Sequence, residues 1–379
     1  MKPSAATVLR AITGVVGFLG ASLPANALVR WNEAKDQVFV KGTVAWLYDS
    51  NIYTNAQGEA DTIMQGSVGA EYRRQAGLIG VNADLGFTIA EFGENADDSF
   101  ANPAMRVEFT KDTGRTTGTF AVNGNRSSRA DPAANARIDS WNYGADLRIK
   151  YPVNDRHTFA GGLDWRFQDY QNNAQLVDLT TSSMSADWFY VFTEERDLFG
   201  GYRLRLSESS AGNKYADHSI SGGVSGRIIR GLNGTARVGY QVREDLSGSG
   251  DTFTGFNASI TSTWNFTRKV SLSVRASKDF NVTSTNIPTD ATTGNLDLQY
   301  ARTAKLVLGT GVGTGYTKFL GLDGGNREDT FLSYYGRIQY TFSEKLIISA
   351  TYSYFQNWST LLFSDFERDS ITFDASTRF

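Results

Sequence analysis

The chain has 379 residues, a formal net charge of −3 and a mean hydropathy of −0.33. That is too polar for a bundle of membrane helices, each of which needs about 20 apolar residues, and too near neutrality to suggest a nucleic-acid partner. Cysteine is absent, which excludes disulfides, thiolate metal sites and cysteine nucleophiles.

The first element is an apolar run, Ala11 to Leu23, preceded by Lys2 and Arg10 and followed by Ala25-Asn26-Ala27. This is the order of a secretory signal peptide. It predicts a signal over residues 1–27, cleaved between Ala27 and Leu28. A membrane anchor is the weaker alternative, because the run is short for a span. Residues 28–37 read as a short periplasmic leader, and 38–379 as one barrel.

From Val38 onward, segments of about ten to thirteen residues alternate apolar with polar, and polar connections divide them. In Trp141 to Tyr151 one face carries Trp141, Tyr143, Ala145, Leu147, Ile149 and Tyr151. The other carries Asn142, Gly144, Asp146, Arg148 and Lys150. A helix would set Asp146 and Arg148 among the apolar residues, so the period is that of a strand. The same reading places strands near 38–53, 62–74, 77–91, 99–111, 116–126, 138–151, 156–169, 177–192, 197–208, 216–230, 232–244, 252–266, 269–280, 293–302, 304–318, 329–342, 345–357 and 366–379. Short connections alternate with longer ones rich in Asn, Asp, Gly and Ser, such as Asn125 to Arg137. Pro103, Pro132, Pro152 and Pro288 are expected in or beside connections, since proline inside a strand removes a ladder bond.

The fold predicted is all-β: a transmembrane antiparallel up-and-down β-barrel of about 18 strands, with short periplasmic turns and longer extracellular loops. It belongs in the outer membrane of a Gram-negative bacterium. A membrane barrel turns its apolar face to lipid and its polar face inward. The inward face then carries Glu71, Asp84, Arg106, Glu108, Asp146, Arg148, Asp164, Arg166, Arg203, Arg205, Arg227, Arg237, Arg275, Asp297 and Arg337, with Arg243 near the outer mouth. Aromatic residues collect at both ends of the strands, as at lipid–water boundaries. The closing strand alternates Ile371, Phe373, Ala375, Thr377 and Phe379. An aromatic terminus of this kind looks like the signal read by barrel assembly machinery, with Phe373 and Phe379 as its residues.

Fixed charges lining such a lumen select solutes, and arginine donates readily to carboxylates and hydroxyls. The competing reading is that these charges only solvate the wall and pair across strands. No loop exceeds about fifteen residues, so no long constricting loop is expected. The lumen would then be fairly open, or narrowed by its arginines. The two histidines, His157 and His218, fall on the outward face and far apart, which argues against a His-paired metal site or a Ser–His triad. Asp146 and Asp164 face the lumen together, but each has an arginine two residues on, so an ion-pair ladder is expected rather than a carboxylate-pair hydrolase. No metal, cofactor or catalytic residue is assigned.

Two segments carry a family resemblance. The first strand reads Trp46-Leu47-Tyr48-Asp49-Ser50-Asn51-Ile52-Tyr53. The last hairpin reads Ser343-Glu344-Lys345-Leu346, Tyr352-Ser353-Tyr354 and Phe366-Glu367-Arg368-Asp369. These resemble the putative beta-barrel porin 2 family, which includes EpsL-type proteins associated with exopolysaccharide biosynthesis; Asp369 stands where that family more usually has Asn. The resemblance implies an outer-membrane channel, a passive or export pore with exopolysaccharide as one cargo. Its partners would be outer-membrane lipid, the assembly machinery and polysaccharide-export components. The alternatives are a structural or adhesion barrel that binds partners through its loops and, last, a barrel enzyme.

Overall fold

The computed structural model describes residues 29–31, 35–171, 176–248, 252–321 and 327–379. The expected signal peptide, with Ala27 and Leu28, lies outside the described residues.

A three-residue strand, β1 (Val29–Trp31), precedes eighteen long ones. These are β2 (Asp36–Asp49), β3 (Asp61–Arg74), β4 (Gly80–Phe92), β5 (Phe100–Lys111), β6 (Thr117–Asp131), β7 (Ala136–Pro152), β8 (His157–Gln171), β9 (Leu179–Thr193) and β10 (Arg196–Ser209). Then follow β11 (Lys214–Ile229), β12 (Leu232–Asp245), β13 (Thr252–Asn265), β14 (Val270–Val282), β15 (Pro288–Ala301), β16 (Leu306–Phe319), β17 (Glu328–Thr341), β18 (Leu346–Ser359) and β19 (Phe366–Arg378). Each pairs antiparallel with its neighbours in sequence, and β19 pairs back onto β2, so the eighteen close into a ring. Closure pairs the edges that a flat sheet would leave open, the condition for a sheet to cross lipid. β1 pairs with β2, so part of the expected leader is strand, and the barrel begins at Asp36.

The two faces follow from the register. Leu85, Phe159, Trp188, Ile220, Tyr240 and Ile338 lie on the outside and are exposed. Their sequence neighbours point inward. The carboxy-terminal main chain closes the seam: the Phe379 N–H donates to the Val40 carbonyl, and the Val40 N–H to the Phe379 carbonyl, each at 2.9 Å. The alternation of the closing strand sets Phe379 on the same side as Ile371 and Phe373, yet its ring is buried, with the Lys345 ammonium 4.9 Å from its centre.

Several boundaries differ from the sequence reading. The segment Asn125 to Arg137, read as a loop, is the outer half of β6 and β7, and only four residues form its tip. Its polar groups are paired across the hairpin: Arg126 donates to Asp139 at 3.0 Å, and Ser128 also bonds Asp139. The first barrel strand ends at Asp49, because Asn51–Thr54 form a turn. Pro103, Pro152 and Pro288 lie within strands. Pro152 and Pro288 are terminal residues, where proline is tolerated. Pro103 precedes the first β5–β6 pair, Ala104↔Asn125, so its missing N–H interrupts nothing on that side.

Two ladders stop short of the outer end. The β5–β6 ladder ends at Ala104↔Asn125, although β6 and β7 pair on to Asp131↔Ala136. The β13–β14 ladder ends at Ala258↔Lys278, although β14 and β15 pair on to Val282↔Pro288. Beyond these points two hairpins are held on one side only and are free to leave the cylinder.

Candidate functional site: a charged lumen under a bridged mouth

The charged side chains expected inside stand on the inward face of their strands, most of them in ion pairs. On one wall Lys41 meets Asp84 at 3.1 Å and also bonds Glu71. Arg106 pairs with Glu108 at 2.8 Å and with Asp146 at 3.6 Å, and Arg148 with Asp164 at 2.7 Å. Asp146 and Asp164 are register partners, each neutralised by an arginine, an arrangement suited to cross-strand stability rather than proton transfer. Farther round, Arg237 pairs with Asp187 at 2.9 Å and Arg203 with Asp279 at 2.8 Å. Asp297 accepts the Tyr335 hydroxyl at 2.8 Å. Arg227 stands apart from the mid-wall group expected for it: it bonds Glu195 in the short β9–β10 turn, at the rim.

Three inward arginines have no carboxylate partner within 4 Å among the described residues: Arg166, Arg275 and Arg337. All three are exposed to the lumen, and Arg337 donates only to Ser349, at 3.3 Å. His157 and His218 lie outside. Trp188 Nε1 donates to His157 Nδ1, and His218 bonds the Tyr202 hydroxyl, so each is an interfacial side chain.

The outer mouth is narrowed by a hairpin, which the loop lengths do not suggest. The β6–β7 tip crosses it. Asp131 Oδ2 accepts from Ser284 Oγ of the β14–β15 connection at 3.3 Å. Arg327 donates to the Pro132 and Ala133 carbonyls, both at 3.2 Å, and Asn135 donates to Ser364 Oγ at 2.8 Å. Arg137 donates to the Ile52 carbonyl at 3.3 Å. These partners come from four successive connections, β14–β15, β16–β17, β18–β19 and β2–β3, which together form the arc of the ring facing the tip. The tip is tight: the Ala133 N–H donates to Asp131 Oδ1 at 2.8 Å, and Asn135 takes φ +51°, a left-handed conformation that Asn tolerates better than most residues. Short loops therefore constrict the lumen through a hairpin whose strands are themselves long.

The second departing strand is held by arginines. Where β13 leaves β14, the Phe280 carbonyl loses its strand partner, while Asn281 stays paired with Thr289 of β15. Arg205 donates to the Phe280 carbonyl, and Arg243 to the Asn281 carbonyl at 2.7 Å. Both guanidiniums meet Asp217, Arg205 also meets Asp279, and Arg243 lies 5.2 Å from the centres of the Tyr215 and Phe280 rings. Arg243 and Asp217 are both 0% exposed. Arg243 was expected to line the mouth; it is a buried staple instead. Sequence gave no sign of this, since an arginine at an inward position reads alike whether solvated or buried.

Beneath the tip, on the β2–β5 side, Ile52, Ile63, Ala90 and Phe92 form a small apolar core inside the barrel, with the Arg137 guanidinium 4.6 Å from the Phe92 ring centre. Beside it the Tyr53 hydroxyl donates to Asp98 at 2.6 Å, and this bond pushes the phenol up to about 12. Two cavities flank the remaining lumen. One of about 890 Å³ lies against β2–β6. One of about 340 Å³ is lined by Arg148, Arg166, Arg203 and Arg205.

Residues 217–379 match the model of the family described as putative beta-barrel porin 2. The match includes the last-hairpin motifs; the first-strand motif lies before it. Among solved structures, Pseudomonas aeruginosa OccK2 (OpdF), in complex with glucuronate, is 12% identical with a TM-score of 0.51, over 91% of this chain and 98% of that one. Acinetobacter baumannii OccAB4 is 12% identical with a TM-score of 0.51, over 92% and 99%. Pseudomonas aeruginosa OpdK with vanillate is 9% identical with a TM-score of 0.50, over 90% and 99%. At these identities the likeness is one of fold. No curated protein sequence matches. The chain has the architecture of a porin-like outer-membrane β-barrel channel.

Proposed function

We propose that this barrel is a passive solute channel that favours anions and whose outer mouth is narrowed by the β6–β7 hairpin. The observation that carries the reading is the set of exposed, unneutralised guanidiniums at Arg166, Arg275 and Arg337. Between the two rims they outnumber the inward carboxylates without a basic partner among the described residues, Asp297 and Asp374, which are half-buried and accept from hydroxyls. A surplus of one sign on a pore wall concentrates the opposite ion and sets selectivity. The test is the reversal potential in a planar bilayer under a salt gradient. The native barrel should favour chloride, and replacing all three arginines by glutamine should move the potential toward cation preference. A folded barrel without conductance, or a potential that the triple substitution leaves unmoved, would sink the reading.

Export of an exopolysaccharide is the second reading. The family resemblance supports it, as does the uncharged hydrogen-bonding wall described below. It requires the hairpin to swing aside, and it implies periplasmic export components as partners. Deleting the gene should abolish surface polysaccharide while synthesis inside the cell continues; unchanged surface polysaccharide would exclude the role. For assembly, we assign Phe373 and Phe379 to recognition by the barrel assembly machinery. Removing Phe379 should lower the yield of folded barrel in the membrane, and full assembly of the truncated chain would refute that assignment.

A further inference from the structure

The inner face of β2–β5 is layered by register. Nearest the short turns, Glu71, Asp84 and Arg106 form a charged row. The next row is Lys41, Gly69, Gly86 and Ala104, with the Lys41 ammonium turned down onto Glu71 and Asp84, and the row above it Thr43, Ser67, Thr88 and Asn102. Gln65 and Phe100 follow, and then the apolar core of Ile63 and Phe92. A band without charge thus separates an ionic belt from an apolar core, and the cavity of about 890 Å³ opens in front of it.

Three properties of the band converge on one ligand chemistry. Its groups are neutral and can both donate and accept, as hydroxyls and amides do. They are uncommitted: among the described residues Thr43, Gln65, Ser67, Thr88 and nearby Asn123 make no side-chain hydrogen bond, although they are half-buried. In the row beneath them Gly69, Gly86 and Ala104 have almost no side chain, so the wall is recessed over β3–β5. The added Cβ at Gly86 would meet nothing within 4 Å. The volume lies within the roughly 300–1,000 Å³ of small-molecule sites. An apolar solute would strand these polar groups, at a cost of about 1–3 kcal/mol each. An anion finds better partners on the arginine-lined wall opposite.

We propose that this recess is a binding subsite for neutral saccharide rings, with the hydroxyl–amide row taking the sugar hydroxyls and Phe100 offering an apolar edge. The inference rests on the channel reading, because the recess is reached through the lumen.

The test uses the full barrel in detergent, titrated calorimetrically with malto-, cello- and galacto-oligosaccharides of about six units, beside blockade of single-channel current by the same sugars. Native protein should bind at least one of them saturably. Gly86→Leu fills the recess without a clash at its Cβ, and Gln65→Met with Thr88→Val removes hydrogen-bonding groups at nearly constant shape. Each variant should fold, judged by heat-modifiable gel mobility, and weaken binding about tenfold, the worth of one or two hydrogen bonds. A conducting barrel that binds none of the sugars overturns the subsite and leaves the channel standing. Sugar binding without conductance overturns the channel and leaves the subsite standing. Binding that neither variant weakens overturns the subsite, because the sugar then sits elsewhere.

Discussion

Near the short turns, Arg275 and Arg337 are exposed and have no carboxylate partner among the described residues; at the outer end, Arg243 is fully buried between two aromatic rings and shares Asp217 with Arg205. One side-chain type thus does two kinds of work along one lumen. Around Arg275 and Arg337 the ladders run unbroken on both sides, so no orphaned carbonyl claims the guanidinium. In the outer half β13 and β14 have parted, the Phe280 carbonyl is left without a strand partner, and Arg205, held beside Arg243 by Asp217, satisfies it. A buried carbonyl without a donor is costly, and a buried arginine is tolerable only where carboxylates neutralise it. The comparison teaches that inward charge is a functional signal only where the sheet around it is unbroken.

The sharpest way to break this comparison is Asp217→Ala. It leaves two buried guanidiniums facing each other, with Asp279 as their nearest remaining carboxylate. Removing one partner of such a network costs about 3–5 kcal/mol, so the folded barrel should unfold at clearly lower urea or temperature. The triple glutamine variant at Arg166, Arg275 and Arg337 should leave that midpoint nearly unchanged. Equal losses in the two would erase the distinction between staple and selectivity charge.

A second substitution addresses the bridge across the mouth. Arg327 is buried, pairs with Asp329 at 2.7 Å and donates to two carbonyls of the hairpin tip. Arg327→Ala should cost about 1–3 kcal/mol, because Asp329 loses its buried partner. It should also raise single-channel conductance, as the tip loses a tether. Unchanged conductance with lowered stability would show that the remaining tethers, Ser284 to Asp131 and Asn135 to Ser364, hold the tip without it.

The sequence shows the lower barrel and hides the mouth, for a physical reason. Period-two alternation in Trp141 to Tyr151 is imposed by lipid on one side and water on the other, so it can be read locally. The same constraint places Ile371 and Phe373 outside and Arg378 inside. Above the membrane it lapses. Asn125 to Arg137 is largely polar because protein and water surround it, and it reads as loop although all but its four-residue tip is strand. Its partners, Ser284, Arg327 and Ser364, are more than 140 residues away in sequence, and no local period records them. The uncharged band is an intermediate case. Thr43, Ser67, Thr88 and Asn102 are each legible as inward positions, but only the register of four strands sets them in one row.

The mildest test lies beside the mouth, at Tyr53. Its hydroxyl donates to Asp98, which the Arg137 guanidinium also approaches, at 3.7 Å. Tyr53→Phe therefore removes one donor without leaving Asp98 bare, and should cost only about 0.5–1.5 kcal/mol. Its pH dependence separates this bond from mere packing. The folded phenol is held up to about 12, above its ordinary value near 10. The folded state thus keeps its proton longer than the unfolded state. The contribution is fully present below pH 10 and fades as pH rises through about 12. The gap in thermal midpoint between native protein and Tyr53→Phe should be constant from pH 7 to 9 and shrink above pH 10. A gap that stays constant into strong alkali would assign the effect to packing against Ile52 and Phe92, and would place Tyr53 with the apolar core rather than with the polar tethers of the mouth.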